Sequence, residues 1–171
     1  LKPNYVLAFN NLGVVLATQG KLDEAINAFK KALLINPDYA DAYNNIGNAL
    51  KDQGKIQDAI GAFKNAILIN SDFSKAYNNI GKLLLDQGKF QDAIDQFNNA
   101  ILTKPDYVEA YNNKGVALRY QSKFQESINA FKKALSLKPE YAEAYNNLGN
   151  VLNDQGKLDK AINAFKKAIL L

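Results

Sequence analysis

The chain has 171 residues, is 47% hydrophobic and carries a formal charge of +4, with neither Cys nor His. That length and apolar content suffice for a buried core. The missing Cys and His exclude a disulfide framework, a thiolate nucleophile, a zinc site and a Ser–His or Cys–His catalytic engine, so no cofactor or metal is expected. No apolar run is long enough to span a bilayer, and no basic-then-apolar leader opens the sequence. No membrane partner is therefore expected, and a cytoplasmic location is.

The predicted elements follow one period. Ala-Tyr-Asn-Asn begins at Ala42, Ala76, Ala110 and Ala144, each 34 residues after the last, and Ala-Phe-Asn-Asn begins at Ala8. Gly13, Gly47, Gly81, Gly115 and Gly149 share the period, as do Phe29, Phe63, Phe97, Phe131 and Phe165. Pro3, Pro37, Pro105 and Pro139 close units, with Ser71 standing where the missing one would be. Two-thirds of the positions are identical between Ala40–Ile69 and Ala142–Leu171. In chain order, Leu1–Tyr5 reads as the tail of a preceding unit. The repeats are then Val6–Tyr39, Ala40–Phe73, Ser74–Tyr107, Val108–Tyr141 and Ala142–Leu171. Both ends cut through a unit, so the chain reads as a piece of a longer protein.

Each unit carries two helical stripes. In the second these are Ala42, Tyr43, Ile46, Gly47 and Leu50, then Ile56, Ala59, Ile60, Phe63, Ala66 and Ile67, with Gly54 between them. Asn36-Pro37 ends the preceding unit, and Asp38 is placed to cap the next helix. Gly47 in mid-helix costs about 1 kcal/mol relative to Ala. Close packing against Ala59 and Ala66, with Phe63 filling the space beside them, is the expected return.

The 34-residue period, the aromatic-x-x-apolar-Gly start, the small-x-x-x-aromatic middle and the closing Pro resemble the tetratricopeptide repeat over the whole chain. The resemblance implies an all-α fold: an α-solenoid of five stacked helix-turn-helix units forming a right-handed superhelix, with the first helices lining its concave face. It also implies which positions look into that groove. The sixth positions are Asn11, Asn45, Asn79, Asn113 and Asn147; the fifth are Asn10, Asn44, Asn78, Asn112 and Asn146. The sixth-position series resembles the asparagine ladder in the repeat arm of O-linked N-acetylglucosamine transferases. Two readings stay open. Side-chain amides can both donate to and accept from an extended peptide backbone, or they can bridge adjacent helices and hold the array's pitch.

Other expected groove residues include Asn48, Lys82, Arg119, Tyr120 and Asn150. Lys114, where other repeats have Leu12, Ile46, Ile80 or Leu148, reads either as drift or as a contact site with Arg119 and Tyr120. A chaperone-tail clamp, which the resembled family builds on a basic fifth position, is not expected here. The excess lysines fall late in the second helices and in the turns, so they read as a solvated face, and no nucleic-acid partner is expected.

The leading expectation is therefore a non-enzymatic scaffold that binds a protein or peptide in its groove. The alternatives are a substrate-recruiting arm of a larger enzyme, such as a glycosyltransferase, and a structural scaffold that forms homo-oligomers by end-to-end stacking.

Overall fold

The computed structural model describes the backbone of residues 3–171 and the side chains from Tyr5 onward. Ten α-helices and no strand occur among the described residues: α1 (Pro3–Thr18), α2 (Leu22–Ile35), α3 (Ala40–Asp52), α4 (Ile56–Ile69), α5 (Ser74–Asp86), α6 (Phe90–Thr103), α7 (Val108–Tyr120), α8 (Phe124–Leu137), α9 (Ala142–Asp154) and α10 (Leu158–Leu170). Of the five residues read as a preceding tail, Leu1 and Lys2 lie outside the described residues. The helix itself already begins at Pro3. Proline is tolerated in a first turn because its missing N–H would be unpaired there anyway.

The chain divides into two compact units, residues 1–79 and 80–171, with the boundary inside α5. In the first unit α1 packs on α2, α2 on α3 and α3 on α4; in the second, α6 packs on α7, α7 on α8, α8 on α9 and α9 on α10. The cores run across successive hairpins. Ala25, Phe29 and Ala32 of α2 meet Val6 of α1, Ala42 and Ile46 of α3 and Ala62 of α4. In the second unit Ala93, Ile94 and Phe97 of α6 meet Ala117 and Leu118 of α7. Ile128 and Phe131 of α8 likewise meet Val151 and Leu152 of α9. A hairpin alone would leave half of this surface wet, which is why repeats stabilise one another.

The mid-helix glycines are answered by rings rather than by small residues. A Cβ built on Gly47 would lie 2.5 Å from Cε1 of Phe63, and one on Gly115 would lie 2.6 Å from Cε1 of Phe131. The expected Ala59 and Ala66 are buried nearby on α4, but the ring is what occupies the space a side chain would need. Each second-helix phenylalanine therefore lies against bare backbone of the first helix.

The turns inside the hairpins need a left-handed residue. Gly54 has φ 75° and sits where the Lys55 N–H reaches back to the Leu50 carbonyl at 2.9 Å, closing the end of α3. Ser122 occupies the same place with φ 59° and supports the same Lys123 to Leu118 bond. It thus takes up a conformation that costs a non-glycine residue about 1–2 kcal/mol. Ser127, where other repeats have Ala, is fully buried and donates from Oγ to the Gly115 carbonyl at 2.7 Å.

Asp38 does not cap α3. The N-cap is Tyr39, which makes no side-chain capping bond. Instead the Asp38 N–H donates to Asn36 Oδ1 at 3.1 Å, and Asp72 N–H does the same to Asn70 Oδ1 at 3.0 Å. The short Asn side chain folds the connecting turn locally, and the acid is left outside the helix. No helix among the described residues is long and apolar enough to cross a membrane.

Gly47→Ala tests the ring-on-backbone contact. At an exposed helix site this change would stabilise by about 1 kcal/mol. Here Phe63 is fully buried and cannot retreat, so overpacking is expected to win and destabilise by about 1–3 kcal/mol. Denaturant unfolding reads the difference, and an unchanged or raised stability would contradict the packing described.

Candidate functional site

The tandem asparagines sit in the middle of each first helix, one residue apart and therefore on adjoining faces. Their burial separates them. The fifth-position residues Asn10, Asn44, Asn78 and Asn112 are buried, Asn112 completely. The sixth-position residues Asn45, Asn79, Asn113 and Asn147 are half-buried, and Asn11 is exposed. Asn146, the fifth-position residue of α9, is also exposed.

The buried and half-buried amides are joined between repeats. In the first unit Asn45 donates from Nδ2 to Asn10 Oδ1 at 2.8 Å, and Asn79 donates to Asn44 Oδ1 at 3.1 Å. Asn79 also reaches Asn48 Oδ1 at 3.3 Å. In the second unit Asn147 donates to Asn112 Oδ1 at 3.1 Å. Asn112 in turn donates to Glu143 Oε1 at 2.9 Å, and the Tyr141 hydroxyl donates to Glu143 Oε2 at 3.1 Å. Asn78 and Asn113 are engaged as well. A buried amide left unpaired costs about 1–3 kcal/mol, so a helix with Asn at its fifth position needs the next repeat's sixth-position Asn beside it. Burial, and then the nearby Glu143 charge, push the Tyr141 phenol above its ordinary value, which keeps it a neutral donor in this network.

The remaining expected groove residues fall into distinct settings. Lys82 is exposed and Asn150 half-buried. Arg119 forks onto Asp154 of the next repeat, Nε to Oδ2 and Nη2 to Oδ1, the latter at 3.2 Å. That hydrogen bonding holds the guanidinium pKa above its usual value. Arg119 is thus already matched by a carboxylate. Tyr120 is 60% exposed and stacks on Phe90 with ring centroids 5.0 Å apart and planes 4° apart.

Lys114 is not part of that group. It lines an open pocket of about 290 Å³ with Tyr111 and Leu118 of α7 and Glu126, Asn129 and Lys133 of α8. Five residues separate it from Arg119, which places the two roughly 140° apart around the helix. The equivalent pocket in the first unit, about 510 Å³, is lined by Tyr43, Ile46 and Gly61 among others. Among the described residues no group of three or more His, Cys, Asp or Glu side chains could hold a metal ion. The bridge between Arg119 and Asp154 and the ring stack of Tyr120 on Phe90 were missed from sequence. Both join residues about thirty positions apart, and the only signal was that each departs from its neighbours in the repeat.

Tetratricopeptide repeat profiles match residues 40–73, 72–140 and 113–169, and a TPR repeat profile matches residues 16–54. The chain belongs to the tetratricopeptide repeat family. Among solved structures, MamA is 30% identical, with a TM-score of 0.79 over 92% of this chain and 92% of its own. The fold is also shared with pilF of Pseudomonas aeruginosa at 20% identity and a TM-score of 0.89, covering 98% of this chain and 76% of that one. YrrB, described as a TPR protein with an unusual peptide-binding site, shares it at 22% identity and a TM-score of 0.72, covering 94% of this chain and 83% of its own. Comparison with curated proteins finds no match. As a TPR chain this protein is a protein–protein interaction scaffold.

Proposed function

We propose that this TPR chain grips an extended segment of a partner protein along its first helices, with the sixth-position amides binding the partner's backbone. The observation that carries this reading is the division of labour within each amide. Asn45, Asn79 and Asn147 spend Nδ2 on the neighbouring repeat. Among the described residues no donor to their Oδ1 atoms is found, and the residues are half-open to solvent. The ladder therefore presents carbonyl oxygens, which suit the N–H groups of an extended peptide. Packed helices lie about 8–10 Å apart, and an extended chain covers that in about three residues at ~3.3 Å each. One amide per repeat matches every third peptide residue without reading side chains.

Specificity then lies in the flanking positions. Leu7 and Val14 are exposed on α1 and favour an apolar partner residue there. Tyr120 offers an aromatic face in the second unit. Arg119, matched by Asp154, offers little to a free carboxylate. The peptide-binding description of YrrB, a protein of the same fold, agrees with this reading.

The test is selection from a random peptide library followed by nuclear magnetic resonance of the asparagine side-chain amides. Selected peptides are expected to shift the Asn45, Asn79 and Asn147 amide signals in the order of their affinity. Peptides that leave those signals in place and move second-helix signals instead would overturn the proposal.

A second reading, self-association of the chain, is favoured by one observation. Ile26, Ile94 and Ile128 are 8%, 5% and 5% exposed at repeat junctions, whereas the equivalent Ile162 of α10 is 50% exposed. Sedimentation velocity over a range of concentrations is expected to show oligomers that Ile162→Lys abolishes; a wild-type monomer throughout would remove this reading.

A further inference from the structure

A second set of side chains repeats with the period and lies outside the groove. Leu34, Leu68, Leu102 and Leu170 are the last or next-to-last residues of α2, α4, α6 and α10. They are 82%, 85%, 79% and 84% exposed. Around Leu34 and Leu68 the neighbours Leu33, Ile35, Ile67 and Ile69 are half-buried, so there the apolar run serves the core through its other members, whereas Ile169 and Leu171 beside Leu170 are themselves exposed. The fourth repeat carries the exposed Ser136 at this position, which shows that the fold accepts a polar residue there.

Residues three and four places earlier share a helix face with each leucine. They are Lys30 and Lys31 behind Leu34, Lys64 behind Leu68, and Lys166 and Lys167 behind Leu170, all exposed. Lys132 and Lys133 stand behind Ser136, and only Leu102 is backed by asparagines. With Lys104 and Lys138 just past the helix ends, nine lysines face five acids, namely Asp95 on α6 and the turn residues Asp38, Asp72, Asp106 and Glu140. The first unit holds Leu34 and Leu68, and the second holds Leu102 and Leu170.

We propose that these basic, leucine-bearing second-helix ends, in each unit by itself, dock on an anionic lipid surface. The leucines insert among acyl chains and the lysines meet headgroup phosphates. Leu34, Leu68 and Leu102 stand singly among polar side chains, only Leu170 adjoins exposed apolar residues, Ile169 and Leu171, and none of the four lines the two pockets described above. A protein partner covers an interface with a packed apolar centre, which leucines spaced one to a helix end do not offer. A fluid bilayer accepts separate side chains without matching hollows, and nearby lysines add attraction to anionic lipid. The sequence expectation of no membrane partner rested on the missing spanning segment, and peripheral docking requires none.

Vesicle flotation tests the proposal on the whole chain, using phosphatidylcholine vesicles with and without phosphatidylglycerol. The wild type is expected to float with the anionic vesicles only and to be released by salt. A variant with Leu34, Leu68, Leu102 and Leu170→Ser is expected to partition at least about tenfold less. Circular dichroism and melting confirm that it folds, as Ser136 indicates it will. A second variant, with Lys30, Lys31, Lys64, Lys166 and Lys167→Gln, is expected to lose binding while keeping all four leucines. Failure of the wild type to float, equal flotation with neutral vesicles, or unchanged flotation of the serine variant would each overturn the proposal. So would a protein partner whose binding the serine variant abolishes while vesicle binding persists.

Discussion

One phenylalanine per repeat lies against a stretch of helix that has no side chain, and the rest of the arrangement depends on that approach. With a Cβ on Gly47 or Gly115 the ring would meet an atom at about 2.5 Å, and the two helices of the hairpin would have to part. The close approach holds the first helix at a set depth over the second. That depth decides which side chains reach the next hairpin. Ala42, Ile46 and Ala62 meet Phe29 from the following repeat because the glycine-backed ring brings the hairpin's faces into register. The cost of glycine in a helix, about 1 kcal/mol each, is offset by burial of a whole phenyl ring, about 1.5–3 kcal/mol.

The tandem asparagines build on the same register. Asn is an ordinary helix former at best, and a buried one needs partners. Asn10, Asn44 and Asn112 each find an amide N–H from the next first helix. Polar contacts thus specify the alignment of neighbouring hairpins, where apolar contacts alone would tolerate sliding. The donor residues are half-open to solvent, so under the proposed function a junction contact and a binding contact reside in one side chain. On that proposal structure and recognition are coupled, because loosening a junction also moves a rung of the ladder.

Much of the fold was legible in the sequence because a fixed period repeats every packing decision five times. The left-handed turn at Gly54 follows from residue type and position, whereas Gly47 was expected against Ala59 and Ala66 and only the coordinates put the Phe63 ring in that space. Asp38 misled because two polar residues compete at each junction, and Asn36 closes the turn first. Which asparagine of each pair is buried was not legible. Both have the same chemistry, and their difference depends on where the next hairpin lands. Arg119 was visible as a groove residue, but its pairing with Asp154 joins two helices and needs coordinates. The leucine row was present in the sequence yet hidden inside apolar runs such as Ile67-Leu68-Ile69, where periodicity alone does not say which member faces outward.

The most direct test of the shared junction amide is a double-mutant cycle on Asn10 and Asn45. Stability would be measured by denaturant unfolding for Asn10→Ala, Asn45→Ala and the double variant. If the 2.8 Å bond between them ties the repeats together, the two single losses will exceed the double loss by about 1 kcal/mol. If the losses add, the amides act independently, and the account of a ladder that both joins the repeats and faces the partner is contradicted.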